Sequence, residues 1–350
     1  MAGDGVVCPV ARREMGGTVV NVVITGGAGF LGSRLARVLL AAGSVPLAGS
    51  AGHPLSRVTL IDQAPAPEDL AADERVAAIR GDLGELLEPG RPGRGALAGA
   101  DVIFHLAAAV SAECEADFDL GIRANLRGTE ALLAACRALE TRPVVVFSSS
   151  AAVFGTSADH PLPPVVDDQT LPNPQTSYGT QKFMCEQLLA DYTRKGFLRG
   201  RAVRLPTVSV RPGRPNAAAS GFMSSIIREP LAGQRATCPV DPQTEVVLTS
   251  PTRAVSGLLA AATASDQNWG GRSAVNLPAL SVTVADMAAA LERVAGPEVS
   301  ALIGWELDPA VARIVTGWPA SIRADRAARI GLTPDPDFAS IIKMHLAESR

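Results

Sequence analysis

One tyrosine and one lysine stand four residues apart, at Tyr178 and Lys182, in a segment whose composition is typical of a helix. Four residues of an α-helix rise about 6 Å, so both side chains would lie on the same face. A phenol titrates near pH 10 and must lose about 3 pKa units to act as a base near neutrality, and a neighbouring ammonium favours the phenolate. The spacing therefore predicts an acid/base tyrosine assisted by a lysine. A core tyrosine beside a solvated lysine is the alternative, although the chain has only 2 tyrosines.

Three consecutive serines, Ser148 to Ser150, close the apolar run Val144 to Phe147. Such a run is typical of a buried strand, and open α/β sheets bind ligands at the carboxyl ends of their strands. We expect the Ser150 hydroxyl to hold a substrate oxygen against Tyr178. The alternative is that the three hydroxyls only cap backbone groups.

A glycine-rich segment, TGGAGFLG at residues 25–32, follows the apolar run Thr18 to Thr25. Its glycines recur every three residues. The first allows a tight strand-to-helix turn, the second lets the backbone approach a pyrophosphate, and the third lets the helix pack close to the strand. Phosphates then meet free N–H groups at the helix N-terminus. The segment predicts a dinucleotide site whose contacts include Gly26, Gly29, Phe30 and Leu31.

The acidic residue Asp62 ends the next predicted strand, Val58 to Ile61. A carboxylate there can take the ribose hydroxyls and would repel a 2′-phosphate, which favours NAD over NADP. Asp62 follows the glycine turn at a longer spacing than usual, and the predicted loop at residues 43–57 accounts for the excess. Arg57 is a nearby basic residue, so NADP as the cofactor is not excluded. The alternative for Asp62 is a solvated aspartate at a strand end that binds no cofactor.

The elements that must position these residues alternate between strand and helix, which predicts an α/β fold with a Rossmann-type doubly wound parallel sheet. We expect a disordered extension at residues 1–18 and the NAD-binding domain at 19–205. Elements near 272–296 return to that domain. Residues 206–350 otherwise form a small C-terminal substrate-binding lobe, and the stretch from Pro206 to about Val246 is predicted to be rich in loops.

Composition excludes several classes of function. The chain has 350 residues, of which 47% are hydrophobic, so it can bury a full core. A net charge of −3 and 4% aromatic residues give no nucleic-acid footprint. The cysteines and histidines show no metal or disulfide spacing, which favours reduced thiols in the cytoplasm. We expect no metal, and the absence of a long apolar run predicts no membrane span.

Five motifs occur in an order that resembles the extended short-chain dehydrogenase/reductase superfamily, which includes nucleotide-sugar epimerases and dehydratases. They are TGGAGFLG at 25–32, GDL at 81–83, HLAA at 105–108, SSSAAVFG at 148–155 and YGTQK at 178–182. The resemblance implies NAD as the cofactor and Tyr178, Lys182 and Ser150 as the catalytic residues. Phe154 stands where many members have tyrosine, so this chain lacks the tyrosine hydroxyl that could contact the substrate there.

The resemblance also implies further cofactor contacts. Asp82 and Leu83 would flank the adenine, and Pro206 and Thr207 would contact the nicotinamide carboxamide. Asn125 matches a position that supports the lysine through water in some relatives. The remaining implied groove residues are Leu106, Ala107, Ala108 and Ser148.

The region after the catalytic motif departs from the nucleotide-sugar enzymes. Segments 204–222 and 246–259 lack the usual nucleotide-binding signatures and carry Arg211, Arg214 and Arg253 instead. Guanidinium groups bind carboxylates through paired hydrogen bonds, so a small acidic substrate is favoured over a nucleotide. Surface arginines are the alternative. Ser111 is a further candidate contact for substrate hydroxyls.

This region resembles a sugar-acid branch of the superfamily. The branch implies oxidation of the C2 hydroxyl of a small sugar acid, D-erythronate, with Tyr178 as the acid/base. The alternatives are a nucleotide-sugar epimerase or dehydratase with tightly bound NAD, and a non-catalytic NAD-binding relative, which would typically lose Tyr178 or Lys182. Relatives commonly pair two long helices, here about 116–139 and 178–193, so the resemblance also implies a homodimer.

Overall fold

A computed structural model of the chain describes residues 19–47, 49, 52–139, 141–213 and 219–348. The predicted extension at residues 1–18 and the candidate Arg214 therefore lie outside the described residues. The described strands are β1 (Val20–Thr25), β2 (Ser44–Pro46), β3 (Gly52–Asp62), β4 (Val76–Arg80), β5 (Val102–His105), β6 (Val144–Ser150), β7 (Arg199–Leu205), β8 (Thr207–Val208), β9 (Ala236–Cys238), β10 (Glu245–Thr249), β11 (Val275–Asn276), β12 (Leu280–Thr283) and β13 (Ile303–Trp305).

The helices are short around the first half of the sheet and longer where they cover its faces. They are α1 (Phe30–Ala42), α2 (Glu68–Ala71), α3 (Leu83–Leu86), α4 (Pro92–Leu97), α5 (Ser111–Ala116), α6 (Phe118–Gly121), α7 (Gly128–Arg137), α8 (Ser177–Arg194), α9 (Phe222–Leu231), α10 (Pro251–Thr263), α11 (Asp266–Trp269), α12 (Val284–Ala295), α13 (Pro297–Ser300), α14 (Pro309–Thr316), α15 (Asp325–Arg329) and α16 (Phe338–Glu348). A π-helical turn, Ile122–Arg127, joins α6 to α7, and a 3₁₀ turn, Ala151–Val153, follows β6. In the described part of the chain, no helix is long and apolar enough to cross a bilayer.

The central sheet contains seven parallel strands in the order β4-β3-β1-β5-β6-β7-β11. The chain runs outward from β1 to β4 and then returns to the other side of β1 as β5. The predicted doubly wound α/β fold is confirmed. This reversal leaves a crevice between the carboxyl ends of β1 and β5, which is where open sheets bind ligands.

Helices cover both faces of the sheet, which explains why its strands are apolar without alternation. One face packs against α1, α10 and α15, and the other packs against α7 and α8. In β6, all residues from Val144 to Ser149 are buried. Two cores therefore fix the strand ends that carry the candidate site.

A third core belongs to the C-terminal lobe and is built from α9, α12, α14 and α16 together with β9, β10 and β13. The elements near residues 272–296 were predicted to return to the NAD-binding domain, and only one of them does so. Strand β11 does pair with β7, but α12 buries Met287 and Leu291 in the lobe core. The helix that packs on the sheet is α10, because its buried face, including Leu258 and Ala261, meets the core of the first face.

Three local predictions are corrected by the structure. The predicted loop at 43–57 contains a hairpin in which β2 pairs with the first residues of β3. The loop-rich stretch after Pro206 contains α9, whose apolar residues reach the lobe core. The helix predicted at 116–139 begins at Phe118, because Asp117 has an extended backbone and caps α6 with its side chain. From there α6, the π-helical turn and α7 continue without a break to Arg137.

Candidate active site

A cavity of about 810 Å³ extends from the crevice at the carboxyl ends of the parallel strands to the C-terminal lobe. It brings together most of the predicted site residues, which come from segments separated by up to 185 positions. The predicted residues that line it are Gly26, Gly29, Phe30, Leu31, Leu106, Ala108, Ser111, Ser148, Ser150, Tyr178, Lys182, Pro206, Thr207 and Arg211.

The N-terminus of α8 places Tyr178 beside Ser150. Thr176 caps this helix and accepts a hydrogen bond of 3.0 Å from the Gly179 amide. A Cβ at Gly179 would lie 2.1 Å from the Ala152 carbonyl oxygen, so only glycine lets α8 approach the 3₁₀ turn after β6 this closely. Ser150 caps that turn at the end of β6, and its hydroxyl hydrogen-bonds with Tyr178.

Lys182 lies one turn further along α8 and is almost fully buried. Its Nζ donates a hydrogen bond of 2.8 Å to the Ser148 carbonyl oxygen. The same atom lies 4.8 Å from the centre of the Phe147 ring and 5.6 Å from the centre of the Tyr178 ring. The lysine therefore joins α8 to the end of β6 and remains within electrostatic range of the tyrosine.

Burial dominates the electrostatics of this pair. It raises the pKa of Tyr178 to about 12, against the hydrogen bond from Ser150 and the charge of Arg211, which both lower it. Burial also lowers the pKa of Lys182 to about 8. Loss of water around the phenol outweighs the contributions that lower its pKa, and the effect of Lys182 on Tyr178 stays a prediction.

The glycine turn fits a pyrophosphate. Gly26 has φ +71°, and a Cβ there would lie 2.7 Å from the Ala107 amide nitrogen, so the turn lies directly against the loop after β5. A Cβ at Gly32 would lie 2.1 Å from the Gly26 carbonyl oxygen. Gly29 begins α1 without a side-chain cap, and the first turn of α1 contains no acidic residue. This end of α1 lines the cavity and suits an anionic group.

The predicted adenosine contacts lie beside the cavity and do not line it. Asp62 accepts hydrogen bonds from the Ala28 amide at 2.9 Å and the Ala64 amide at 3.0 Å, which joins the end of β3 to the glycine turn. Asp82 caps α3, of which Leu83 is the first residue. All these groups stand at the carboxyl ends of β3 and β4, on the side where α1 begins.

Three other predicted residues are not among those that line the cavity. Ala107 lies beneath the glycine turn, and Asn125 binds the backbone of Ala109 through hydrogen bonds at 2.7 and 3.2 Å. Arg253 lies in the first turn of α10, a helix that packs on the sheet rather than on the lobe. Arg253 therefore stands outside the set of residues that line the cavity with Arg211.

Arg211 enters the cavity at the lobe, and its surroundings hold it in place. Its Nη2 donates to Ser220 Oγ at 3.1 Å, and its amide donates to Ser224 Oγ at 3.1 Å. Arg228 Nη1 donates to the Arg211 carbonyl oxygen at 2.6 Å. Burial lowers the pKa of this guanidinium, and Tyr178 opposes that change.

The lobe also supplies cavity residues that sequence reasoning did not select. They include Met223, Glu245, Val247, Val311, Val315 and Trp318. Phe154 lies in a separate buried cluster under the Arg204 guanidinium and does not line the cavity. The absence of a tyrosine hydroxyl there leaves the cavity wall unchanged.

Comparisons with known proteins agree with this geometry. The chain matches the NAD dependent epimerase/dehydratase family over residues 22–252. It is 48% identical to a D-erythronate dehydrogenase of Cupriavidus necator, over 94% of this chain and 99% of that protein. It is 40% identical to a D-erythronate dehydrogenase of Haemophilus influenzae, over 93% of this chain and 99% of that protein.

A solved structure described as a nucleoside-diphosphate-sugar epimerase from Agrobacterium tumefaciens is 41% identical, with a TM-score of 0.85 and coverage of 97% of both chains. The resemblance predicted from the five motifs is confirmed. The chain belongs to the NAD dependent epimerase/dehydratase family, and it is an NAD-dependent oxidoreductase of that family.

Proposed function

We propose that this enzyme oxidises the C2 hydroxyl of a small sugar acid, with D-erythronate as the substrate and 2-dehydro-D-erythronate as the product. The observation that carries the proposal is one cavity that holds Tyr178, Ser150 and Lys182 near the strand ends and Arg211 at the lobe. The two relatives named D-erythronate dehydrogenase, each aligned over nearly its whole length, support this substrate.

Tyr178 takes the proton of the C2 hydroxyl, and Ser150 orients that hydroxyl and the carbonyl oxygen that replaces it. Lys182 contributes positive charge beside the phenol and holds the carbonyl of Ser148 at the strand end. Burial holds the pKa of the phenol high, so positive charge beside it is needed before it acts as a base.

NAD⁺ bound in the crevice would accept the hydride that leaves C2 and would bring a positive charge next to Tyr178. The glycine turn and the open N-terminus of α1 suit its pyrophosphate, and Asp62 suits its adenine ribose. The chain residues that would hold the rest of the cofactor are Asp82, Leu83, Leu106, Ala107, Ala108, Ser148, Lys182, Pro206 and Thr207.

Arg211 binds the substrate carboxylate through two of its N–H groups, because it is the described candidate arginine that lines the cavity. Ser111, at the start of α5, lines the same cavity and contacts the distal hydroxyls. The enzyme functions in the cytoplasm, which the scattered cysteines favour.

A homodimer forms through α6, the π-helical turn and α8. Phe118 on α6 is 60% exposed, and it borders a second cavity of about 420 Å³ together with Ile122 and Met184. A large exposed aromatic group beside a surface hollow is typical of a surface that a second subunit covers.

The test is a panel of D-erythronate, D-threonate, L-threonate, UDP-glucose and UDP-galactose, with NADH formation and sugar interconversion both measured. We expect stoichiometric NADH formation with a C4 sugar acid and none with the UDP-sugars. The alternative, a nucleotide-sugar epimerase with tightly bound NAD, is favoured by the description of the Agrobacterium tumefaciens structure. Interconversion of UDP-sugars without net NADH would support that alternative and overturn the proposal.

A further inference from the structure

A buried histidine, His105, stands at the carboxyl end of β5 between two threonines. Its Nδ1 lies 2.6 Å from Thr25 Oγ1, and its Nε2 lies 2.9 Å from Thr129 Oγ1. All three side chains are at most 2% exposed. None of them lines the cavity, so the proposed chemistry leaves them without a role.

The direction of these hydrogen bonds follows from hydrogen counting. A hydroxyl carries one hydrogen, and Thr129 donates it to the Asn125 carbonyl oxygen at 2.6 Å. Thr129 Oγ1 must therefore accept from His105 Nε2–H. A neutral imidazole then has an acceptor at Nδ1, so Thr25 donates to it. Burial, with a smaller contribution from Lys182, lowers the pKa of His105 to about 3, which keeps the ring neutral.

The last link reaches the floor of the cofactor crevice. Thr25 Oγ1 accepts from the Ala107 amide at 3.4 Å, and the Leu106 amide donates to the Thr25 carbonyl oxygen at 3.0 Å. The backbone at Ala107 is also where the glycine turn makes its closest approach, at Gly26. The position of this loop therefore decides the width of the crevice between the ends of β1 and β5.

We propose that Thr25, His105 and Thr129 are positioning residues that form a one-way chain of hydrogen bonds and hold the loop Leu106–Ala109 at the width that the dinucleotide requires. Asn125 anchors both ends of the arrangement. Its carbonyl terminates the chain at Thr129, and its side chain bonds the amide and carbonyl of Ala109. The loop is thus fixed at Ala107 by this chain of hydrogen bonds and at Ala109 by the side chain of Asn125.

The inference rests on the proposed function only in taking the crevice as the site of NAD(H). Its first test is the tautomer of His105 in the wild-type protein, read from ¹⁵N shifts of ring-labelled histidine, with the His105→Gln spectrum used for assignment. We expect a neutral ring protonated at Nε2 that does not titrate between pH 5 and 8. A ring protonated at Nδ1, or one that titrates in that range, would overturn the chain of hydrogen bonds.

The second test measures NADH affinity by fluorescence titration, without any sugar acid. Thr129→Val keeps the shape of the side chain but leaves the Nε2–H without an acceptor, and we expect the NADH dissociation constant to rise about five- to tenfold. Thr129→Ser retains the hydroxyl and should restore the wild-type value. Thr249→Val is the matched control, because Thr249 is fully buried and its hydroxyl has no hydrogen-bond partner among the described residues.

Unchanged NADH affinity in Thr129→Val, or failure of Thr129→Ser to restore it, would overturn the positioning role. Wild-type protein that binds NADH but oxidises no sugar acid would contradict only the proposed substrate. Wild-type protein that binds no NADH would contradict the proposed cofactor site and, with it, the positioning role. The tautomer is read in the wild-type protein, and the His105→Gln variant serves only to assign the signal.

Discussion

Lys182 donates its Nζ hydrogen bond to the carbonyl oxygen of Ser148, at 2.8 Å, and not to the phenol oxygen of Tyr178. The lysine thus fixes α8 against the end of β6, two residues before the serine that bonds Tyr178. Burial lowers the pKa of Lys182 to about 8, and its Nζ lies 5.6 Å from the centre of the Tyr178 ring. In the mechanism proposed above, Lys182 holds this geometry and supplies positive charge.

Removal of the Tyr178 hydroxyl separates proton transfer from binding. Tyr178→Phe should lower kcat by about 10²–10⁴-fold, because general acid/base catalysis contributes that much, while NADH affinity changes less than about threefold. The measurement is NADH formation with the sugar acid, alongside NADH titration. Tyr192→Phe is the control, since that ring packs against Phe197 with centroids 5.6 Å apart. Full turnover by Tyr178→Phe would exclude the assignment.

Arg211 and Arg253 give a matched pair for the carboxylate. Arg211→Gln should raise KM for the sugar acid about 10- to 100-fold, because a charged hydrogen-bond donor is lost from the cavity. Its charge also lowers the pKa of Tyr178, so the alkaline shift of the kcat/KM profile is a second readout. Arg253→Gln should leave KM within about twofold. Equal effects of the two substitutions would show that Arg211 has no special role.

The parts of the site that could be predicted from sequence depend on local spacing. The glycine turn and the Tyr178/Lys182 pair each lie within one turn or helix, so their geometry follows from the chain itself. The choice between Arg211 and Arg253 could not be made this way, because it depends on which core takes α9 and which takes α10. The lobe wall at Trp318 likewise comes from a distant segment with no local chemical signal.

A buried ion pair behind the site predicts a stability effect. Arg204 binds Glu186 through two hydrogen bonds of 2.9 and 2.7 Å, and Ser149 donates to the same carboxylate. Arg204→Met should lower the free energy of unfolding by about 3–5 kcal/mol, because it leaves a buried charge unpaired. Urea unfolding is the measurement.

Two further variants test the interpretation of that loss. Arg204→Met combined with Glu186→Gln should recover part of it, because no charge then remains unpaired. Arg194→Met, in an exposed pair with Asp191, should change stability by less than about 0.5 kcal/mol. A loss in the double variant as large as the sum of the single losses would argue against a coupled pair.

The proposed dimer surface predicts a change of mass in solution. Phe118→Asp places a charge at an exposed aromatic position beside the second cavity, and a buried unpaired charge should dissociate the dimer. Light scattering should give a dimer for the wild type and a monomer for the variant. Leu307→Asp is the control, since that leucine is 65% exposed and lies between β13 and α14 of the C-terminal lobe. A monomeric wild type would refute the dimer.

Acid should weaken the fold through His105. Its pKa is lowered to about 3 in the folded protein, chiefly by burial and then by Lys182, against 6.5 as the ordinary value. Below pH 6.5 the unfolded chain takes up a proton that the folded chain does not. The contribution of the neutral ring to the free energy of unfolding is therefore present above pH 6.5 and is lost as the pH falls toward 3, at up to about 1.4 kcal/mol per pH unit.

Between pH 6.5 and 4.5, the free energy of unfolding should therefore fall by about 2–3 kcal/mol more in the wild type than in His105→Gln. Urea unfolding at the two pH values measures the difference. His160→Gln, at an exposed position, should keep the wild-type dependence. Identical pH dependence in the wild type and His105→Gln would mean that the buried ring gains its proton with the fold intact.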